Sequence, residues 1–132
     1  MKQSMTLVLI LASVTSIAFA QDWYHDRDER YRGDQWRPHV FSHVRQDLDH
    51  IWSARNASEK ENARLAKTKE ELAQMQADLD QGRFDNGLLN DAIDSLKKSA
   101  NDDRLSPRDR AVLADDVNRL HDYQANHNHW TH

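Results

Sequence analysis

After Pro38, large apolar residues fall at Val40, Phe41, Val44, Leu48, Ile51 and Trp52. At about 100° per residue they lie within one stripe roughly 120° wide. The spacing predicts a first helix over residues 39–55 that buries this stripe. Asn56-Ala57-Ser58 interrupts the pattern, and Ser58 followed by Glu61 has the S-x-x-E form in which two side chains satisfy orphan N–H groups at a helix start. A second helix begins there, with Leu65, Leu72 and Leu79 repeating every seven residues, Met75 in the alternate slot, and Ala63, Ala66, Ala73 and Ala77 around them. So narrow a seam predicts coiled-coil-like packing against one or two neighbours. Gly82 ends this helix, because glycine best tolerates the left-handed turn that closes many helices.

A third helix, residues 86–100, takes Asp85 as its cap and turns Leu88, Leu89, Ala92, Ile93 and Leu96 inward, with Phe84 placed to staple onto Leu89. Ser106-Pro107-Arg108-Asp109 then offers a capping serine, a proline at the first helical position and an acid in the first turn. The fourth helix, residues 107–125, carries Val112, Leu113, Val117, Leu120 and Tyr123 inward. No segment alternates with the period of two that a half-buried strand needs. The fold class is therefore all-α, a small antiparallel bundle of three to four helices with short connections. About twenty large apolar side chains make a thin core, so the fold is expected to be marginal or oligomeric.

Outside this helical domain, residues 39–126, the pattern changes. Residues 1–20 carry one charge, Lys2, an apolar run from Leu7 to Leu11, and Ala18 and Ala20 in the A-x-A arrangement a signal peptidase accepts. They predict a cleaved export signal. A membrane span takes about 20 consecutive apolar residues, whereas Ser13, Thr15 and Ser16 break this run. The product is thus expected to be exported, periplasmic or extracellular, without stable membrane insertion. Residues 21–38 mix acids and bases with Trp23, Tyr24, Tyr31 and Trp36 and show no period, as a flexible arm would. Residues 127–132 form a His-rich tail.

Composition narrows the chemistry. The 132 residues carry a net charge of −4 and no cysteine. Disulfide staples, thiol catalysis and thiolate zinc sites are excluded, and the lack of a Lys/Arg cluster argues against nucleic acid as a partner. Neither a Gly-rich phosphate loop nor G-x-S-x-G nor a nucleophile beside a histidine is present, so no enzymatic activity is expected. The acidic runs fail as calcium loops. Placing Gly82 at the obligatory glycine puts Ala77, Leu79 and Gln81 at ligand positions, and Leu88 where a bidentate Glu belongs.

Histidine is the unusual residue, with eight in the protein. His39, His43 and His50 share one flank of the first helix, and Asp47 follows His43 by one turn. Imidazoles at i and i+4 with a carboxylate a turn on can meet at a cation. His43 and His50 stand about 10 Å apart along the axis, too far for one ion to take all three imidazoles. The candidate ligands are His39, His43, Asp47, His127, His129 and His132, for a weakly bound divalent transition metal such as Zn, Cu or Ni. No resident cofactor is expected, and the plainer reading is a solvated flank and a polar tail.

Leu105-Ser106-Pro107-Arg108-Asp109-Arg110 resembles the L-T-x-x-Q element of the Spy-like periplasmic chaperones, with Ser106 for Thr and Asp109 for Gln. That resemblance implies an exported, cysteine-free helical protein whose dimers cradle unfolded clients. The whole sequence also resembles small exported all-helical bacterial proteins. The function these features favour is that of a secreted or periplasmic non-catalytic helical interaction protein, using helix faces for a protein partner or self-association. A chaperone-like role is a special case of it. The alternative is a weak periplasmic metal-binding protein.

Overall fold

The computed structural model describes residues 23–53 and 59–128. The export signal, the Ser58 cap, His129 and His132 lie outside the described residues. The protein divides into two compact units, with the boundary between Trp36 and Arg37.

In the first unit, residues 23–30 form a helix, α1. The expectation of an arm without regular structure is corrected there. An aliphatic period is not what organises this segment. The Arg27 guanidinium lies 4.5 Å from the centre of the Tyr31 ring, one turn on, and that of Arg30 lies 5.8 Å from the Trp23 ring. Such cation–π pairs stabilise by about 0.5–2 kcal/mol each, depending on exposure. Trp23 meets Tyr24 edge-on at 5.0 Å, and Tyr31 meets Trp36 at 6.2 Å across a turn where Gly33 takes φ 67°. Tyr31 and Trp36 are both buried.

The second unit is helical throughout its described elements. A 3₁₀ turn, Arg37–His39, leads into α2, Val40–Ser53; α3 is Glu59–Asp80, α4 Asn86–Ala100 and α5 Pro107–Asn126. Among the described residues there is no strand, and no helix is long and apolar enough to cross a membrane. The helices pack in sequence order, α2 on α3, α3 on α4 and α4 on α5, and α5 returns against α2.

Local chemistry sets the helix ends. Asp85 accepts from the Leu88 N–H at 3.0 Å, and Ser106 Oγ from the Asp109 N–H at 3.1 Å, each satisfying an orphan donor. Gly82, at φ 78°, closes α3 in a Schellman turn, its N–H reaching the Leu79 carbonyl at 2.9 Å while the Arg83 N–H reaches that of Asp78 at 2.8 Å. An ion pair between Arg83 and Asp78, at 3.4 Å, stands where such turns commonly have an apolar contact.

The core is made of Val40, Phe41, Val44, Leu48 and Ile51 from α2, Leu65, Leu72 and Met75 from α3, Leu89, Ile93 and Leu96 from α4, and Val112, Leu113, Val117, Leu120 and Tyr123 from α5. Two assignments on α2 are exchanged relative to the sequence pattern. Trp52, expected inside, is exposed, and Asp47, expected on the polar flank, is fully buried. With Val40 at 0°, Asp47 projects at about 340°, beside Val40 and Ile51, whereas Trp52 projects at about 120°, on the far edge of the stripe.

Candidate interaction surface

Arg45, Asp49 and Trp52 share the α2 flank adjoining that far edge. On α3, Ala66, Lys69, Glu70 and Ala73 follow i, i+3, i+4, i+7 and so share a face. Asp49 pairs with Lys69 and ties the two faces together. Between the helices runs an open groove of about 320 Å³, walled by Arg45, Trp52, Lys69 and Glu70, with Ala66 and Ala73 also lining it. Trp52 is 38% exposed, the large hydrophobic side chain left in solvent among the described residues. The Lys69 ammonium stands 5.6 Å from its ring centre. On the same α2 wall as Trp52, Arg45 Nε is shielded from water and has no hydrogen-bond acceptor among the described residues. Leaving such a donor unmet costs about 1–3 kcal/mol.

The histidines divide into separate settings. His39 and His43 are brought together, their ring centres 6.1 Å apart and nearly perpendicular. Asp47, the carboxylate expected beside them, is fully buried on α2. His127 stacks on Phe84 at 3.9 Å and lies parallel to Tyr123 at 5.6 Å, with Nδ1 3.3 Å from the Gln124 carbonyl. Among the described residues no three His, Asp or Glu side chains are grouped so as to hold a metal ion. The Phe84 ring thus lies against His127 at the end of α5 and stands 6.3 Å from Tyr123.

Sequence reasoning did not find the polar contacts between the helices. The Glu61 carboxylate, read as half of a capping box, accepts from Ser99 Oγ on α4 at 3.0 Å and from Arg64 Nη1 at 2.9 Å. Both Glu61 and Ser99 are buried. On α5, Gln124 Nε2 donates to the side-chain carbonyls of Asn86 and Asn90 on α4, each at 2.7 Å. Glu71 is buried, and its Oε1 has no hydrogen-bond partner among the described residues. Burial pushes its pKa above the usual carboxylate range, Lys67 opposes that rise, and the negative charge of Asp91 adds to it. Burial also raises the Tyr123 phenol.

No family model, curated protein or solved structure matches the sequence. Functional assignment accordingly rests on the chemistry of the groove and of the histidines.

Proposed function

We propose that this is an exported, non-catalytic helical interaction protein that engages a protein partner through the α2–α3 face. The observation that carries this reading is the exposed Trp52 on the wall of the groove. Tryptophan gives large contact area with few rotatable bonds and recurs among residues that dominate binding energy. Export is supported by the signal-like residues 1–20. The helices of the second unit form an antiparallel bundle in which α3 packs in a coiled-coil-like way. The alternating spacing of its buried positions 61, 65, 68, 72 and 75 supports this. A chaperone that receives unfolded segments is a special case of the same reading.

A photo-crosslinking amino acid at position 52 in the exported protein tests it. Protein adducts formed at position 52 and absent at Asp91, an exposed site on α4, are the expected result. Equal labelling at both sites, or none at either, overturns the reading. A second reading is weak binding of a divalent transition metal by His39 and His43, favoured by the closeness of their rings.

A further inference from the structure

The groove between α2 and α3 has walls of different chemistry. At one end the Arg45 side chain lines the groove with a positive charge that no described residue pairs, its Nε shielded and without an acceptor. A guanidinium bonds a carboxylate best through two parallel N–H groups, and its two terminal nitrogens can supply such a pair. At the other end, seven residues or about 10 Å along the α2 axis, Trp52 exposes its indole. Between them Lys69 is committed to Asp49 and to the indole face. Glu70, on the wall, repels an anion there and leaves Arg45 as the place for negative charge. Ala66 and Ala73 present only methyl groups, so an extended backbone can approach α3 closely. A space of about 320 Å³ lies at the small end of the range for ligand sites, suited to a short segment rather than a whole helix.

We infer that this groove binds an extended peptide segment bearing an aromatic or large aliphatic side chain at Trp52 and a carboxylate at Arg45. At about 3.3–3.6 Å per extended residue, the two groups stand about three residues apart. The inference rests on the reading of the α2–α3 face as the interaction surface and adds the chemical class of what it receives. The carboxylate is that of an acidic side chain, because a groove open along its length receives a segment from within a longer chain.

The test uses the ¹⁵N-labelled full mature protein and four tetrapeptides that have phenylalanine first. One has aspartate fourth with both ends blocked, and a second replaces that aspartate with asparagine. A third has asparagine fourth and a free C-terminal carboxylate, and a fourth replaces the phenylalanine of the first with alanine. Nitrogen–proton correlation spectra read the Arg45 Nε–H and Trp52 indole N–H signals directly. Saturable, concerted shifts of both signals with the aspartate peptide are expected. Binding should weaken about tenfold with the blocked asparagine peptide, and comparably in Arg45→Gln. Arg45→Lys should recover only part of the loss, and Trp52→Ala should weaken binding of the aspartate peptide but not of the alanine peptide. The third peptide separates the carboxylate sources: no recovery of binding supports the acidic side chain, and binding tighter than that of the aspartate peptide assigns the site to free C-termini and overturns the inference.

Equal affinity for aspartate and blocked asparagine peptides, or no shift with any peptide to about 10 mM, overturns the inference. Crosslinks at position 52 that persist with either result would leave the interaction surface standing and remove only the carboxylate. Concentration-dependent shifts of the same two signals without peptide, accompanied by a dimer in sedimentation, assign the groove to a second copy and also overturn it.

Discussion

Ser99→Ala removes one hydroxyl and tests whether the α3–α4 seam is fastened by the buried polar contact at Glu61. Ser99 Oγ donates to Glu61 Oε1 at 3.0 Å, while Arg64 Nη1 holds the other oxygen at 2.9 Å. Ser99 is 1% and Glu61 3% exposed, so water is not positioned to replace the lost donor. A hydrogen bond to a charged group contributes about 1.5–3 kcal/mol. Alanine returns up to about 0.5 kcal/mol through its better helix propensity, leaving a net loss of about 1–2.5 kcal/mol. A domain of this size has a total stability of about 5–15 kcal/mol, and its midpoint moves about 4–8 °C per kcal/mol. Thermal unfolding followed by circular dichroism should therefore show a Tm lowered by about 4–20 °C. Glu61→Gln, singly and combined with Ser99→Ala, completes a double-mutant cycle in which the two effects should couple by about 1 kcal/mol. An unchanged or higher Tm in Ser99→Ala, or strict additivity in the cycle, would refute the reasoning.

Leu72→Asp places a carboxylate at a position with 0% exposure, at a cost of several kcal/mol; the bundle should lose most of its helical signal at 37 °C, and native-like melting would show that α3 is wrongly registered. Glu71 has a raised pKa in the folded state, so folding is favoured below the ordinary carboxylate value and that advantage is lost as pH rises through the folded value. Glu71→Gln should match the parent in urea unfolding near pH 4 and become more stable by about 1 kcal/mol toward pH 7; a difference independent of pH would contradict the assignment. If His39 and His43 bind Zn or Cu, calorimetry should give micromolar or weaker affinity at pH 7.5 that disappears near pH 5, because the ligating imidazoles must be neutral. His39→Ala with His43→Ala should abolish that binding in a protein truncated after Asn126, and binding that survives refutes the pair as the site. Intact mass of the exported protein should correspond to a start at Gln21, and retention of residues 1–20 in a membrane fraction would refute cleavage.

What the sequence revealed and what it concealed follow from the range of the interactions. The starts of α4 and α5 were legible because Asp85 and Ser106 cap within three residues of themselves, and the apolar core positions of both helices followed from their period, although Leu88 is only half-buried and Asp109 and Asp116 on α5 are buried as well. On α2 the same reasoning failed at two positions, since a stripe drawn through every large apolar residue extends as far as Trp52 and treats Asp47 as solvent-facing by default. The buried face is centred elsewhere, and only packing against α3 and α5 decides where. Glu61 shows the difficulty in another form: Ser58 and Glu61 satisfy a local motif, yet the carboxylate bonds Ser99, 38 residues away, a partner no local spacing encodes. The α1 segment escaped a search for aliphatic periodicity because guanidinium–ring pairs organise it. The groove was concealed most completely. Arg45 and Trp52 on one helix, and Ala66 and Ala73 on another, have no common pattern in the sequence and acquire joint meaning only when Asp49 and Lys69 bring the helices together. An exposed tryptophan on such a wall departs from the rule that places large apolar residues inside. Departures of this kind concentrate where a surface has work other than folding to do, so the clearest failure of the sequence pattern is also the observation on which the proposed interaction surface rests.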